Sequence, residues 1–279
     1  MAKKVKKSIN EMSFLDHLEE LRWLLVRSAF AITIGATATY FISDFIFDRI
    51  IFAPTSANFV TYRFFCDLSH QLGFADSICV TDMPFIIQNT DMEGQVNIFV
   101  WICILGGFIL AFPYILWQLW HFISPALYEK ERKNAKWFIF VSSLLFFLGV
   151  LFGYYVVVPM SVNFFATFHV SEIVKNQFSV DSYMSMVKTS VIASGLYFEL
   201  PIVVYFLTKL GLVTPDFLRK YRKYGIVIIL IIAAIVTPPD VVSQILVAIP
   251  MLLIYELSIF LSAMVVRKRK KEEKPEANG

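Results

Sequence analysis

The sequence predicts an all-α membrane protein with six transmembrane helices, packed as a bowed, concave bundle in which spans five and six are short. Three observations predict it. The 279 residues are 57% hydrophobic and 17% charged, with a mean hydropathy of +0.65, whereas a soluble domain is about a quarter charged. The apolar residues fall in six continuous runs, and a membrane β-barrel would need short alternating segments instead. The Lys and Arg residues gather in alternate connections between those runs.

A bilayer core about 30 Å thick takes roughly 20 residues of helix. The candidate spans are 23–42, 99–120, 137–159, 184–207, 224–236 and 241–264, in one polytopic domain over 1–266. Ahead of the first, Leu15, Leu18 and Leu21 or Leu25 in "FLDHLEELR" recur at helical spacing, which predicts an amphipathic helix leading into the membrane. Ala36-Thr37-Ala38 has the small residues of a signal-peptidase site. Arg27 interrupts the apolar run before it and five more spans follow, so it reads as uncleaved.

Between spans one and two lies a long connection, about 51–98. Leu68, Leu72 and Phe74 predict a short amphipathic helix in it. It also holds Cys66 and Cys79, while Cys103 falls inside span two as a buried thiol. In an oxidising compartment Cys66 and Cys79 are expected to form a disulfide pinning this segment, worth about 3 kcal/mol in the chain-entropy model. After span two, Ser124-Pro125 reads as a helix start with Glu129 and Glu131 behind it. The fifth run is short, and Thr237-Pro238-Pro239-Asp240 ends it sharply. Pro113, Pro201 and Pro250 inside spans two, four and six are each expected to kink their helix. The charged tail 267–279 reads as disordered.

Of the 25 Lys and Arg residues, all but Arg49, Arg63, Lys175 and Lys188 lie in one set of connections with both termini. The positive-inside rule makes that set cytoplasmic. A net charge of +3 is too mild to argue for nucleic acid.

No catalytic pattern is present: no H-E-x-x-H, no G-x-S-x-G and no phosphate-cradling glycine loop. His17, His70, His121 and His169 are scattered, without metal-site spacing. An enzyme, a cofactor and a metal are therefore not expected. Glu199, inside the apolar run "SGLYFELPIVVYFL", is costly in hydrocarbon, by about 2.5–3.5 kcal/mol for an acidic residue at mid-span. Such a group faces water, a polar partner, or is protonated. It admits an ion-coupled small-molecule transporter with Glu199 as proton relay, but Glu256 is the only other carboxylate deep in a span, and no inverted repeat is evident. Spacing alone reads Glu20 and Glu131 equally well as solvated charge, with local pairs such as Glu131 to Lys133 or Arg132.

Four stretches in order, "HLEELR", "FISPALYEKERK", "FELP" and "TPPDVVSQILVAIP", make the chain resemble TatC, the multispanning core of the twin-arginine protein translocase. The resemblance covers nearly the whole chain, and six spans with both ends inside is that family's topology. It implies recognition of paired arginines in signal peptides of folded substrate proteins, recruitment of TatA- and TatB-type single-span partners, and transport driven by the proton-motive force without ATP. It implies a bacterial cytoplasmic (inner) membrane protein in contact with lipid, forming a homo-oligomer within a receptor complex. Residue by residue, Glu20 and Glu131 match the family's acidic signal-peptide site, with Arg22 and Phe122 beside it. Glu199 matches its buried glutamate. Thr237 and Gln244 match a polar patch where partner helices dock, and Pro54 and Asp240 match outer-side functional positions. The 51–98 connection is longer than the family pattern.

Overall fold

The computed structural model describes residues 14–71, 79, 83, 85–124, 135–171, 173, 176–237 and 241–273. In chain order the main α-helices are α1 (Phe14–Phe41), α2 (Val60–Gln71), α3 (Gly94–Ile123), α4 (Ala135–Phe152), α5 (Val158–Thr167), α6 (Val180–Phe198), α7 (Leu200–Lys209), α8 (Pro215–Lys220), α9 (Arg222–Val236) and α10 (Val241–Glu273). Two three-residue strands, β1 (Ile86–Gln88) and β2 (Gln177–Ser179), pair in parallel with Ile87 opposite Phe178. Five helical stretches are long and apolar enough to cross a membrane: His17–Phe41, Gly94–Ile123, Lys136–Thr167, Val180–Lys209 and Ser243–Arg269. α9, the expected fifth span, has 15 residues and reaches only about 22 Å.

The chain divides into two compact units, residues 1–46 with 96–144, and residues 47–95 with 145–279. In the first, α1 and α3 run antiparallel. His17 stacks on Phe122 at one end, and Tyr40 meets Phe99 edge-on at the other. Between them the backbones touch. A Cβ on Gly107 would come within 2.5 Å of Ile32 O and Ala36 N, and one on Gly35 within 2.8 Å of Gly107 O. With no hydrophobic drive between helices in lipid, close approach at small residues supplies the packing.

In the second unit, a Cβ on Gly149 would strike Ser194 O at 2.6 Å, and one on Gly153 would strike Ser190 O at 2.7 Å, so this stretch also lies backbone-to-backbone against α6. The core gathers Val157, Tyr197, Ile229, Val247, Met251 and Tyr255. Tyr197 donates to Met251 O at 2.9 Å, Thr208 and Ser262 share a buried hydrogen bond at 2.9 Å, and Tyr255 donates to Leu218 O at 3.1 Å. α10 is thereby tied to α6, α7 and α8.

Pro113 and Pro250 lie inside helices that continue through them, and Pro201 coincides with an interruption, at Glu199 between α6 and α7. Other expectations need correcting. Span three runs on to Thr167 through a π-helical turn, Gly153–Val157. Pro159 cannot donate to the carbonyl of Tyr155 four residues back, and Thr61 Oγ1 donates to that carbonyl instead, at 2.6 Å. The helix in the 51–98 connection starts earlier than expected, at Val60; Leu68 is on it, while Leu72 and Phe74 lie outside the described residues. α10 continues past Arg267 to Glu273, so the first part of the tail is helical rather than disordered. Lys, Arg and Glu are good helix formers. Residues 274–279 lie outside the described residues.

Candidate functional site

Glu20 is exposed on α1, one turn along from His17, whose ring lies 4.3 Å from that of Phe122 with the planes 22° apart. The start of α1 and the end of α3 are therefore held together beside Glu20. Residues three and four apart on a helix are neighbours, and those two apart are not. By that rule Arg22, also exposed, stands next to Glu19 rather than Glu20. Among the described side chains, the helical neighbours of Glu20 are His17, Trp23 and Leu24, with no Lys or Arg among them. Its carboxylate is thus presented without an intrahelical cation and can accept from an incoming guanidinium. Glu131, with the 125–134 connection, lies outside the described residues.

Glu199 is buried, only 8% exposed, at the residue that separates α6 from α7. The backbone there stays bonded: Glu199 N–H donates to Leu196 O at 3.2 Å, and Glu199 O accepts from Ile202 and Val203 N–H at 3.0 Å each. Pro201 in the first turn of α7 fits a restart, because its missing N–H has no helical partner there. The chain thus carries a carboxylate into an apolar core at a helix interruption.

Thr237 and Gln244 both belong to the α9–α10 hairpin. Thr237 is buried and donates to Ala233 O at 2.8 Å, and Gln244 Nε2 donates to Leu230 O at 3.2 Å. Both side chains therefore address carbonyls one turn apart on α9. Asp240 lies outside the described residues.

Pro54 is fully buried in a 3-10 turn, Ala53–Thr55, and its carbonyl accepts from Tyr62 at 3.0 Å. Tyr62 also donates to Pro159 O at 3.0 Å, Tyr154 to Ile50 O at 2.7 Å and Tyr183 to Ile51 O at 2.5 Å. Three phenols from three elements thus hold the segment 50–54. Burial raises the pKa of the Tyr62 phenol, which keeps it a donor. Nothing in the sequence singled out these tyrosines, because an aromatic in an apolar run reads as ordinary core. The disulfide Cys66–Cys79 joins α2 to the following chain, with Cα atoms 4.6 Å apart. Cys103 is a buried thiol. Arg222 forms a two-pronged pair with Glu256 across α9 and α10.

Comparison with known proteins gives one answer. The family model "Sec-independent protein translocase protein (TatC)" matches residues 16–250. A TatC of Blattabacterium sp. subsp. Periplaneta americana is 41% identical over 95% of this chain and all of its own length. One from Aquifex aeolicus is 36% identical over 94% of this chain and all of its own length, and TatCy of Bacillus subtilis is 35% identical over 94% and 93%. A crystal structure of the twin-arginine translocase receptor TatC is similar with a TM-score of 0.64 at 35% identity, covering 90% of this chain and 99% of that one. A second, in DDM, gives 0.67 at 36% identity, covering 88% and 99%. Family model, full-length relatives and fold agree along nearly the whole sequence, and the chain belongs to the TatC family of Sec-independent protein translocase proteins.

Proposed function

We propose that the chain is the core of a twin-arginine translocase that reads the paired arginines of signal peptides at its cytoplasmic face. The observation that carries this is the exposed Glu20 carboxylate, without a cation among its helical neighbours, beside the His17–Phe122 stack. Two adjacent guanidiniums need planar acceptors from more than one segment. Glu131 supplies the second acceptor in this reading, and Arg22 and Phe122 shape the site. α9 serves as the short fifth of six spans, and both termini face the cytoplasm, in keeping with the clustering of Lys and Arg in that set of connections. The membrane is the bacterial inner membrane.

Glu199, Thr237 and Gln244 offer hydrogen bonds to the membrane helices of TatA- and TatB-type partners. Pro54 and Asp240 act on the outer side, several copies of the chain assemble in the receptor complex, and the proton-motive force drives transport without ATP.

The test is photo-crosslinking of a signal peptide carrying two arginines, beside one carrying two lysines, to the membrane-embedded protein. Wild type should crosslink the arginine peptide preferentially, and Glu20→Ala should lose that preference. Equal yields for both peptides on wild type would overturn the assignment.

A further inference from the structure

Cys66 and His70 stand four residues apart on α2, the spacing that brings two side chains onto one face of a helix. Cys79, bonded to Cys66, places its Sγ 3.7 Å from His70 Nε2. One ligand atom from each of the three residues lies within 4.8 Å of the other two. A tetrahedral zinc ion, with Zn–S near 2.3 Å and Zn–N near 2.0–2.1 Å, sets its ligand atoms roughly 3.5–3.8 Å apart. The Cys79–His70 separation already has that value. Cys66 and Cys79 are half-buried and His70 is exposed, so a reductant and an ion can both reach the group.

We propose that in the dithiol state Cys66, His70 and Cys79 form a three-ligand zinc site with water in the fourth position, so that either a disulfide or a metal ion fastens α2 to the chain after it. The disulfide state offers no thiolate and does not bind the ion. A dithiol reductant supplies two electrons and two protons to the S–S bond and is itself oxidised to a cyclic disulfide, leaving Cys66 and Cys79 as thiols. Rotation of the two cysteine side chains then parts the sulfurs. Zinc displaces both thiol protons to solvent and takes a lone pair from Nε2 of neutral His70.

The probe is Co2+, which reports thiolate ligation as a charge-transfer band and is displaced by Zn2+. Full-length protein in detergent micelles is used, in a Cys103→Ala background that removes the remaining thiol. Reduced protein should show the band, saturating at one ion per chain, and oxidised protein should show none. Loss of even an outer-shell partner costs metal sites roughly tenfold or more, so His70→Ala should weaken cobalt by at least that factor. His70→Cys, which keeps three ligands, should restore tight binding; failure to restore it would mean that His70→Ala acted by disturbing the helix and would overturn the proposal. Reduced protein without a band overturns the proposal, as does His70→Ala with unchanged affinity, which would mean that two thiols bind alone. Both readouts are independent of signal-peptide binding.

Discussion

Arg222 grips Glu256 with both prongs of its guanidinium, Nε to Oε1 at 2.6 Å and Nη2 to Oε2. The residues are 34 positions apart, at the start of α9 and in the middle of α10, and each is about half exposed. Gly225, one turn on, lets the Tyr255 ring lie against the α9 backbone: a Cβ there would be 2.8 Å from Tyr255 Cζ. The pair therefore sets the register of the hairpin. Arg222→Glu and Glu256→Arg should each lower the thermal midpoint in detergent, and the double exchange should recover most of the loss. Purely additive single effects would show that the two side chains are not coupled.

Removing the Glu20 carboxylate should weaken signal-peptide binding without unfolding the protein. A charge-assisted contact is worth about 1.5–3 kcal/mol, or roughly tenfold to a hundredfold in affinity. Glu20→Ala and Glu131→Ala should each show this in crosslinking or direct binding, and reversal to Lys should do more harm. Unchanged binding in both alanine variants removes this site from the reading.

Glu199→Ala should leave signal-peptide binding intact while impairing export and partner assembly. Glu199→Gln keeps a neutral hydrogen-bonding group in the buried position and should retain more activity than Ala. An export assay run beside partner crosslinking separates the two. Full export by the alanine variant would make the carboxylate purely structural.

Tyr62→Phe leaves Pro54 O and Pro159 O without the shared phenol, which should cost about 1–3 kcal/mol. The raised pKa of Tyr62 adds a pH signature. Above the unfolded phenol value of about 10, the unfolded chain releases a proton that the folded one keeps, so stability falls as pH rises. Denaturation followed from pH 8 upward should show a shallower alkaline decline in Tyr62→Phe than in wild type. Identical slopes would mean that Tyr62 contributes nothing to it.

Gly107→Ala drives a methyl group against backbone atoms of α1 that no side-chain rotation can clear. A cost of about 1–3 kcal/mol is expected from overpacking, read as a lowered thermal midpoint. Ala at Gly211, where φ is +76° but the space is open, should act through backbone strain alone. If Gly107→Ala melts with wild type, the close α1–α3 approach does not contribute to stability.

The apolar runs were legible because a helix in lipid must satisfy its backbone internally and its side chains must suit hydrocarbon. Glu199 stood out for the same reason: a carboxylate there breaks the pattern that surrounds it. Tyr62, Tyr154 and Tyr183 break no pattern. Their partners are carbonyls, which every residue carries, and the bond from Tyr183 to Ile51 spans 132 positions. Glu256 was visible as a carboxylate deep in an apolar run, but Arg222 looked like one more topology-setting cation, and only folding pairs them. The π-helical turn before Pro159 was hidden because its residues, Gly153–Val157, are as apolar as the helix around them. The extension of α10 through 267–273 was misread because charge density was weighed above helix propensity.

The bond from Thr61 to Tyr155 O places part of one helix's hydrogen-bond ladder on another element. Pro159 opens a gap in α5 and its π-helical turn, and a hydroxyl on α2 fills it. Lifting α2 away would therefore strip a donor from the span itself, in surroundings where few replacement donors exist. The connection and the span are bound to move as one body, and a pull applied to the loop is delivered to the backbone of the membrane helix.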